Sequence, residues 1–304
     1  MKYFYTTLSI LLLFSIVGWS QDVAQLLQRA DSLYDAKSYL ASGELYDQAF
    51  ALQESTSGNY YNAACAWSLA ENAEKAISYL KKAAEKGWHN RKWMEQDKDL
   101  RALHSAPGWN EVIAIVQKNL DAYEKDFDKP LKEQLEAIYV KDQTLRQLYQ
   151  DAEEKFGRES DEMKYFWELV SEQDRQNEAE VIKILDQRGW PGKTLVGGKA
   201  NMAVWLVIQH APLEIQEKYL PLLRESAKKG ESQGNHLALL EDRILMRNGK
   251  KQIYGSQVIT NPETGAYELH PIEDPVNVNK RRAEVGLGPI EEYVKRWGIE
   301  FKVK

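Results

Sequence analysis

The chain has 304 residues, a formal charge of −6 and a single cysteine, with 43% hydrophobic and 28% charged residues. An acidic balance argues against nucleic-acid binding, which calls for a basic footprint. One cysteine excludes an intramolecular disulfide, so burial must hold the fold. The length exceeds the roughly 100–200 residues of one domain.

Residues 1–20 have the pattern of a signal peptide: Lys2 supplies charge, Leu8 to Val17 are apolar, and Gly18-Trp19-Ser20 offer small residues for cleavage. The apolar run is shorter than the roughly 20 residues of a membrane helix, although a retained anchor is the alternative. The mature protein is expected to begin at Gln21, to have no membrane span after leader removal, and to be exported to the periplasm or the extracellular space. No cysteine follows the run, which excludes lipid attachment at the new N-terminus.

Residues 21–125 carry an internal repeat. Leu26, Ala30, Leu33, Tyr39, Ser42, Tyr46 and Ala49 recur 34 positions later as Tyr60, Ala64, Trp67, Ala73, Ala76, Leu80 and Ala83. The small residues suit close helix crossings. This period and pattern resemble the tetratricopeptide family over about residues 23–86, implying helix-turn-helix units and a concave peptide-binding groove. Two units leave unburied ends, so 88–125 are expected to form a helical cap, with a helix pair from Asp97 to Val116. Cys65, within an alanine-rich stretch, reads as a packing residue.

From about Pro130 the chain becomes charged and helical. Leu131, Leu135, Ile138, Leu145 and Leu148, then Phe166, Leu169, Val170, Val181, Ile182 and Leu185, recur at spacings that predict amphipathic helices. Gly189-Trp190-Pro191-Gly192 breaks this series. Met202 to Ile208 is apolar all round and predicts a buried helix, closed by Gln209-His210 and Pro212. Helices are expected near 213–229 and 235–247. A β-hairpin is expected near 252–272, with strands Gln252 to Ile259 and Ala266 to Ile272 about an Asn-Pro-Glu-Thr-Gly turn. Two short helices follow, around Lys280 to Val285 and Ile290 to Trp297. The fold class is therefore mainly α: a short tetratricopeptide-like array, then a helical domain at 126–304 carrying one β-hairpin.

Residues from about Leu131 to Tyr293 resemble a bacterial domain family of unknown function, often exported and sometimes fused to helical repeats. The likeness rests on Gly189-Trp190-Pro191, Gln209-His210-Ala211, Asp242-Arg243, Gln252 to Gln257, and Arg281-Arg282 with Gly286-Leu287. Ser256 stands where the family is associated with threonine, which keeps the hydroxyl. No activity accompanies this resemblance.

Standard catalytic signatures are missing, and the five histidines are too scattered for a local metal motif. No metal or other cofactor is implied. His210 and Asp242 are the candidate catalytic residues; Arg146, Gln209, Arg243, Gln252, Tyr254 and Gln257 are candidate binding residues. His210, Asp242, Arg243, Gln252 and Tyr254 are expected to line one cleft. In an extended strand Gln252, Tyr254 and Ser256 would share a face, while Asp142 with Arg146, and Asp174 with Asn177, read as solvated helix faces. Three functions remain open. One is a binding or scaffold protein, gripping a protein or peptide through the repeats and a small polar ligand through the C-terminal cleft. Another is a cell-envelope enzyme with His210 as general acid or base and Arg243 or Arg146 holding an anion. The last is a structural envelope component.

Overall fold

A computed structural model describes residues 22–303; the targeting segment expected at 1–20 lies outside the described residues. The chain divides into two compact units, Met1–Lys125 and Asp126–Lys304. It is mainly α-helical, with one small antiparallel hairpin. Among the described residues no helix is long and apolar enough to cross a membrane.

In the first unit, α1 (residues 22–35) precedes α2 (Tyr39–Leu52), α3 (Ser57–Leu69) and α4 (Ala73–Glu85). The repeat is visible in the backbone as well as in the sequence. Lys37 and Glu71, 34 positions apart, both take positive φ, 60° and 61°, where each unit turns between its helices. Thr56 and Asn72 cap α3 and α4 by accepting the amides of Asn59 and Lys75. Ala30, Ala49, Ala64 and Ala83 are buried, as their small size demands. At Gly43 any Cβ would meet the Trp67 ring at 2.7 Å, so the glycine sets how closely α2 and α3 approach. Beyond α5 (Arg91–Gln96), the expected helix pair is only half present. Lys98–Leu103 forms a 3-10 turn and α6 spans Trp109–Tyr123. Asp97 accounts for the difference, because its carboxylate caps that tight turn at the Asp99 amide.

The second unit begins with α7 (Lys129–Phe156), which Asp128 caps and Pro130 opens, followed by α8 (Asp161–Arg188), capped by Ser160. Apolar periodicity holds at Leu131, Leu135 and Ile138 and again from Val170 to Leu185, but Leu148 and Leu169 are exposed. The buried helix α9 (Lys193–His210) touches α7, α8 and α10 (Leu213–Lys228), and its Val204, Val207 and Ile208 form the centre of the core. Gly197, inside α9, takes φ 82° and ψ 163°, a region essentially reserved for glycine, and breaks the helix beside the Phe127 ring. Helix α11 spans Gly234–Arg247.

The hairpin is shorter than expected. Strand β1 covers only Val258–Thr260 and β2 only Tyr267–Leu269, with Ile259 opposite Glu268. Residues 252–257 form a loop, tied at its start by an isolated parallel bridge between Gln252 and Ile272. Helices α12 (Val278–Glu284) and α13 (Ile290–Val294) complete the unit, and Val278, Ile290 and Val294 pack with Leu269 and Ile272.

Candidate functional site

Three helices of the second unit bring polar side chains together. His210, the last residue of α9, places Nδ1 3.1 Å from Oδ1 of Asp142 on α7. A carboxylate only accepts, so Nδ1–H is the donor in this pair. Asp142 is 1% exposed, and Gln143 donates to its other oxygen at 2.7 Å. Burial pushes its carboxyl pKa up, but the His210 hydrogen bond, the His210 charge and Arg146 outweigh this and hold it below the usual range. Arg146, one turn along α7, donates to the Asp142 backbone carbonyl and to both oxygens of Asp174 on α8, at 2.8–2.9 Å. Asn177, a turn beyond Asp174, is wholly buried; its Oδ1 accepts from Gln173 while its Nδ2 has no partner. Nearby, Glu178 is raised by burial and by the charges of Asp174 and Glu214.

The solvated-face reading of Asp142, Arg146, Asp174 and Asn177 is therefore corrected. Asp142 continues the buried line Leu131, Leu135, Ile138, and Asn177 sits between buried Val170 and Val181, so both follow the apolar stripe of their helix. That register was the available signal, and polarity masked it.

Asp142, Asp174 and His210 lie close enough to hold a metal ion. The guanidinium of Arg146 already supplies the cation at both carboxylates, 2.8 Å from Asp174 and 3.5 Å from Asp142. We therefore read the cluster as an ion network centred on Arg146.

Asp242 serves a different purpose. Its carboxylate, 0% exposed, accepts the backbone amides of Ile253, Tyr254 and Ser256 at 2.7–3.2 Å. These bonds curl 252–257 into a loop in which Gly255 takes φ 68°, and so the strand alternation drawn for Gln252, Tyr254 and Ser256 does not exist. With its lone pairs spent on amides, Asp242 organises the loop and is not placed to move protons. The Gln252 side chain donates to the carbonyls of Gln257 and His270 and accepts the Gln257 amide, locking the same loop. Gln257 is buried and donates to the Ser256 hydroxyl. The phenol of Tyr254 is raised by burial, then by Glu241 and Asp242. Arg282, 1% exposed, donates to the carbonyls of Tyr254 and Gly288 and lies 4.9 Å from the Tyr293 ring, whose hydroxyl reaches the Ser256 carbonyl.

The residues expected to line one cleft fall into two hydrogen-bonded groups, one about His210 and Asp142 and one about Asp242. Among the described residues, no hydrogen bond or ion pair joins His210 to Asp242, Gln252 or Tyr254. Arg243 comes nearest in sequence terms, donating to the carbonyl of Gln209 at 2.9 Å. Gln216 also donates there, and the buried atoms Gln209 Oε1, Gln216 Oε1 and Arg243 Nε have no hydrogen-bond partner among the described residues.

The first unit holds a separate cavity of about 430 Å³, walled by Tyr34, Tyr46, Tyr61, Trp88 and Trp93 and by Asp31, Asp35, Asp97 and Asp99. Tyr34, Tyr46 and Tyr61 donate to Asp99, Asp31 and Asp97. Burial pushes all three phenols up, and the carboxylates add to it. Cys65 is buried here and its thiol is pushed up by burial and by Asp97 and Asp99, so it is not a reactive thiolate.

Comparison with curated proteins and with solved structures returns no match. Residues 129–304, more than half of the chain and nearly all of its second unit, match the Family of unknown function (DUF6624). The chain therefore belongs to that family.

Proposed function

We propose that the protein is an exported scaffold whose helical array, built from two tetratricopeptide-type units, seats a basic segment of a partner protein. The carrying observation is the gathering of four carboxylates among five aromatic rings in one cavity. Asp47, Glu54, Glu95 and Glu111 of the first unit are each paired with a lysine or arginine. Asp31, Asp35, Asp97 and Asp99, which line the cavity, have no ion pair among the described residues. Carboxylates surrounded by aromatic walls suit an ammonium or guanidinium group, which gains both charge pairing and contact with ring faces. Trp93, 56% exposed, leaves a large aromatic face for such a side chain.

The test is calorimetry of the full mature chain with an acetylated penta-lysine peptide and with penta-glutamate. Binding of the basic peptide that weakens with salt, and weakens about tenfold or more in the double variant Asp31→Asn, Asp35→Asn, supports the reading. Equal affinity for both peptides would refute it. Export is tested separately by mass spectrometry of the native protein: a chain beginning at Gln21 supports it, and one retaining Met1 in the cytoplasmic fraction overturns it.

A further inference from the structure

We propose that the second unit carries a hydrolytic site in which His210 is the general base, Asp142 its positioning residue, and a neutral ester the class of substrate. This rests on observations independent of the cavity in the first unit.

The orientation of the imidazole comes first. Asp142 is fixed on every side: His210 holds one oxygen, Gln143 the other, and Arg146 its backbone carbonyl. A carboxylate so held fixes the tautomer and ring plane of its histidine, as the acidic member of a catalytic triad does. His210 Nε2, by contrast, makes no hydrogen bond among the described residues, and the side chain is 21% exposed. Its neighbour Asp142 is 1% exposed. One ring nitrogen is thus held to a buried anchor while the other is left uncommitted.

Packing alone does not account for this arrangement. Asp142 and Asn177 occupy positions where the helical register of α7 and α8 otherwise places Leu, Ile and Val. The Nδ2 of Asn177 is desolvated without a compensating hydrogen bond among the described residues. Apolar residues at these two positions would avoid the burial of a carboxylate and an amide, so the cost points to a use outside the fold.

Charge selects the substrate. With His210 neutral, Asp142 and Asp174 outweigh Arg146 by one negative charge, and the carboxyl of Glu178 lies close enough to feel Asp174. An anionic substrate would be repelled. A neutral acyl group meets no such penalty.

The step balances without a cofactor. Nε2 takes a proton from water as the water oxygen bonds to the acyl carbon, and the carbonyl electron pair moves onto oxygen. That pair then returns, the bond to the leaving oxygen breaks, and Nε2–H gives its proton to the departing alkoxide. Water and ester become acid and alcohol.

Two probes applied to the full chain test this. Diethyl pyrocarbonate acylates an available imidazole nitrogen, and peptide mass spectrometry reads each histidine separately. His210 should react faster than His89, His104 and His270, and Asp142→Asn should slow it markedly. With p-nitrophenyl acetate, Asp142→Asn should lower kcat about a hundredfold with KM little changed, and His210→Gln should remove the turnover. Should Asp142→Asn fail to fold, His210→Gln, at a helix end and part-exposed, carries the test. The proposal is overturned if His210 reacts no faster than His104, if ester turnover survives in His210→Gln, or if no turnover is found. It is equally overturned if Zn2+ or Mn2+ binds and His210→Gln abolishes that binding, since the cluster would then be a metal site.

Discussion

The Trp205 indole lies flat on the His236 imidazole, with ring centroids 4.1 Å apart and planes within 6°. Burial drives the His236 pKa down to about 4, and its Nδ1 has no hydrogen-bond partner. An unfolded histidine titrates near 6.5. The folded pKa is the lower of the two, so the unfolded chain takes up the proton first. Stability is therefore complete above about pH 6.5 and declines as pH falls toward 4, by no more than about 3 kcal/mol. His236→Phe keeps the stack and should flatten that decline. Urea midpoints at pH 7 and 4.5 decide: parallel losses in both proteins would dismiss His236 as the cause.

Asp242→Asn should loosen the loop it gathers. An amide in place of the carboxylate removes the charge and turns a donor toward the amides of Ile253, Tyr254 and Ser256. A loss of about 3 kcal/mol is expected, with faster amide exchange at 253–256. Retention of slow exchange in the variant would contradict the assigned role.

Gly255 and Gly265 separate backbone strain from packing. Both take positive φ, 68° and 70°, but a Cβ at Gly255 would lie 2.4 Å from Ile290 Cδ1, whereas one at Gly265 meets nothing. Alanine at either site incurs the left-handed penalty of about 1–2 kcal/mol. Gly255→Ala should lose more than Gly265→Ala, because Ile290 must also shift. Equal losses would mean that the isoleucine yields freely.

Arg146→Met should leave Asp142 and Asp174 without their cation. In the native chain the depressed pKa of Asp142 gives stability present above the unfolded value, near 3.9, and lost as pH falls through the folded value. Without the guanidinium, that pKa rises and protonation relieves the buried charge earlier. The variant should be less stable at pH 7, and its gap from the native chain should narrow in acid as the two carboxylates take up protons. A gap that stays constant would show that Arg146 acts through packing.

The helices of both units were largely legible because their evidence is local. A 34-residue echo points to α1 to α4, and the structure adds the matching turns at Lys37 and Glu71. The run Met202 to Ile208 marked α9 because a helix apolar all round has to be buried. Residues 252–257 read as a strand in the sequence for the opposite reason: Asp242, ten residues before Gln252, diverts the amides that a strand would pair. His210 and Arg146 were picked out by residue type. Asp142, Asp174 and Asn177 read as surface in the sequence because charged and amide side chains on a helix are normally exposed, and only the tertiary meeting of α7, α8 and α9 shows otherwise.

Arg282 gives the second unit a direction in time. Its buried guanidinium closes on carbonyls of Tyr254 and Gly288, and the loop it secures is the one that Asp242 gathers. A nascent chain that has reached only Arg247 has made all of α7 to α11, yet Asp242 still lacks every amide it will bind. The unit therefore reaches its final closure late in synthesis, and C-terminal truncations ahead of Arg282 should be recognised by proteases as open chains.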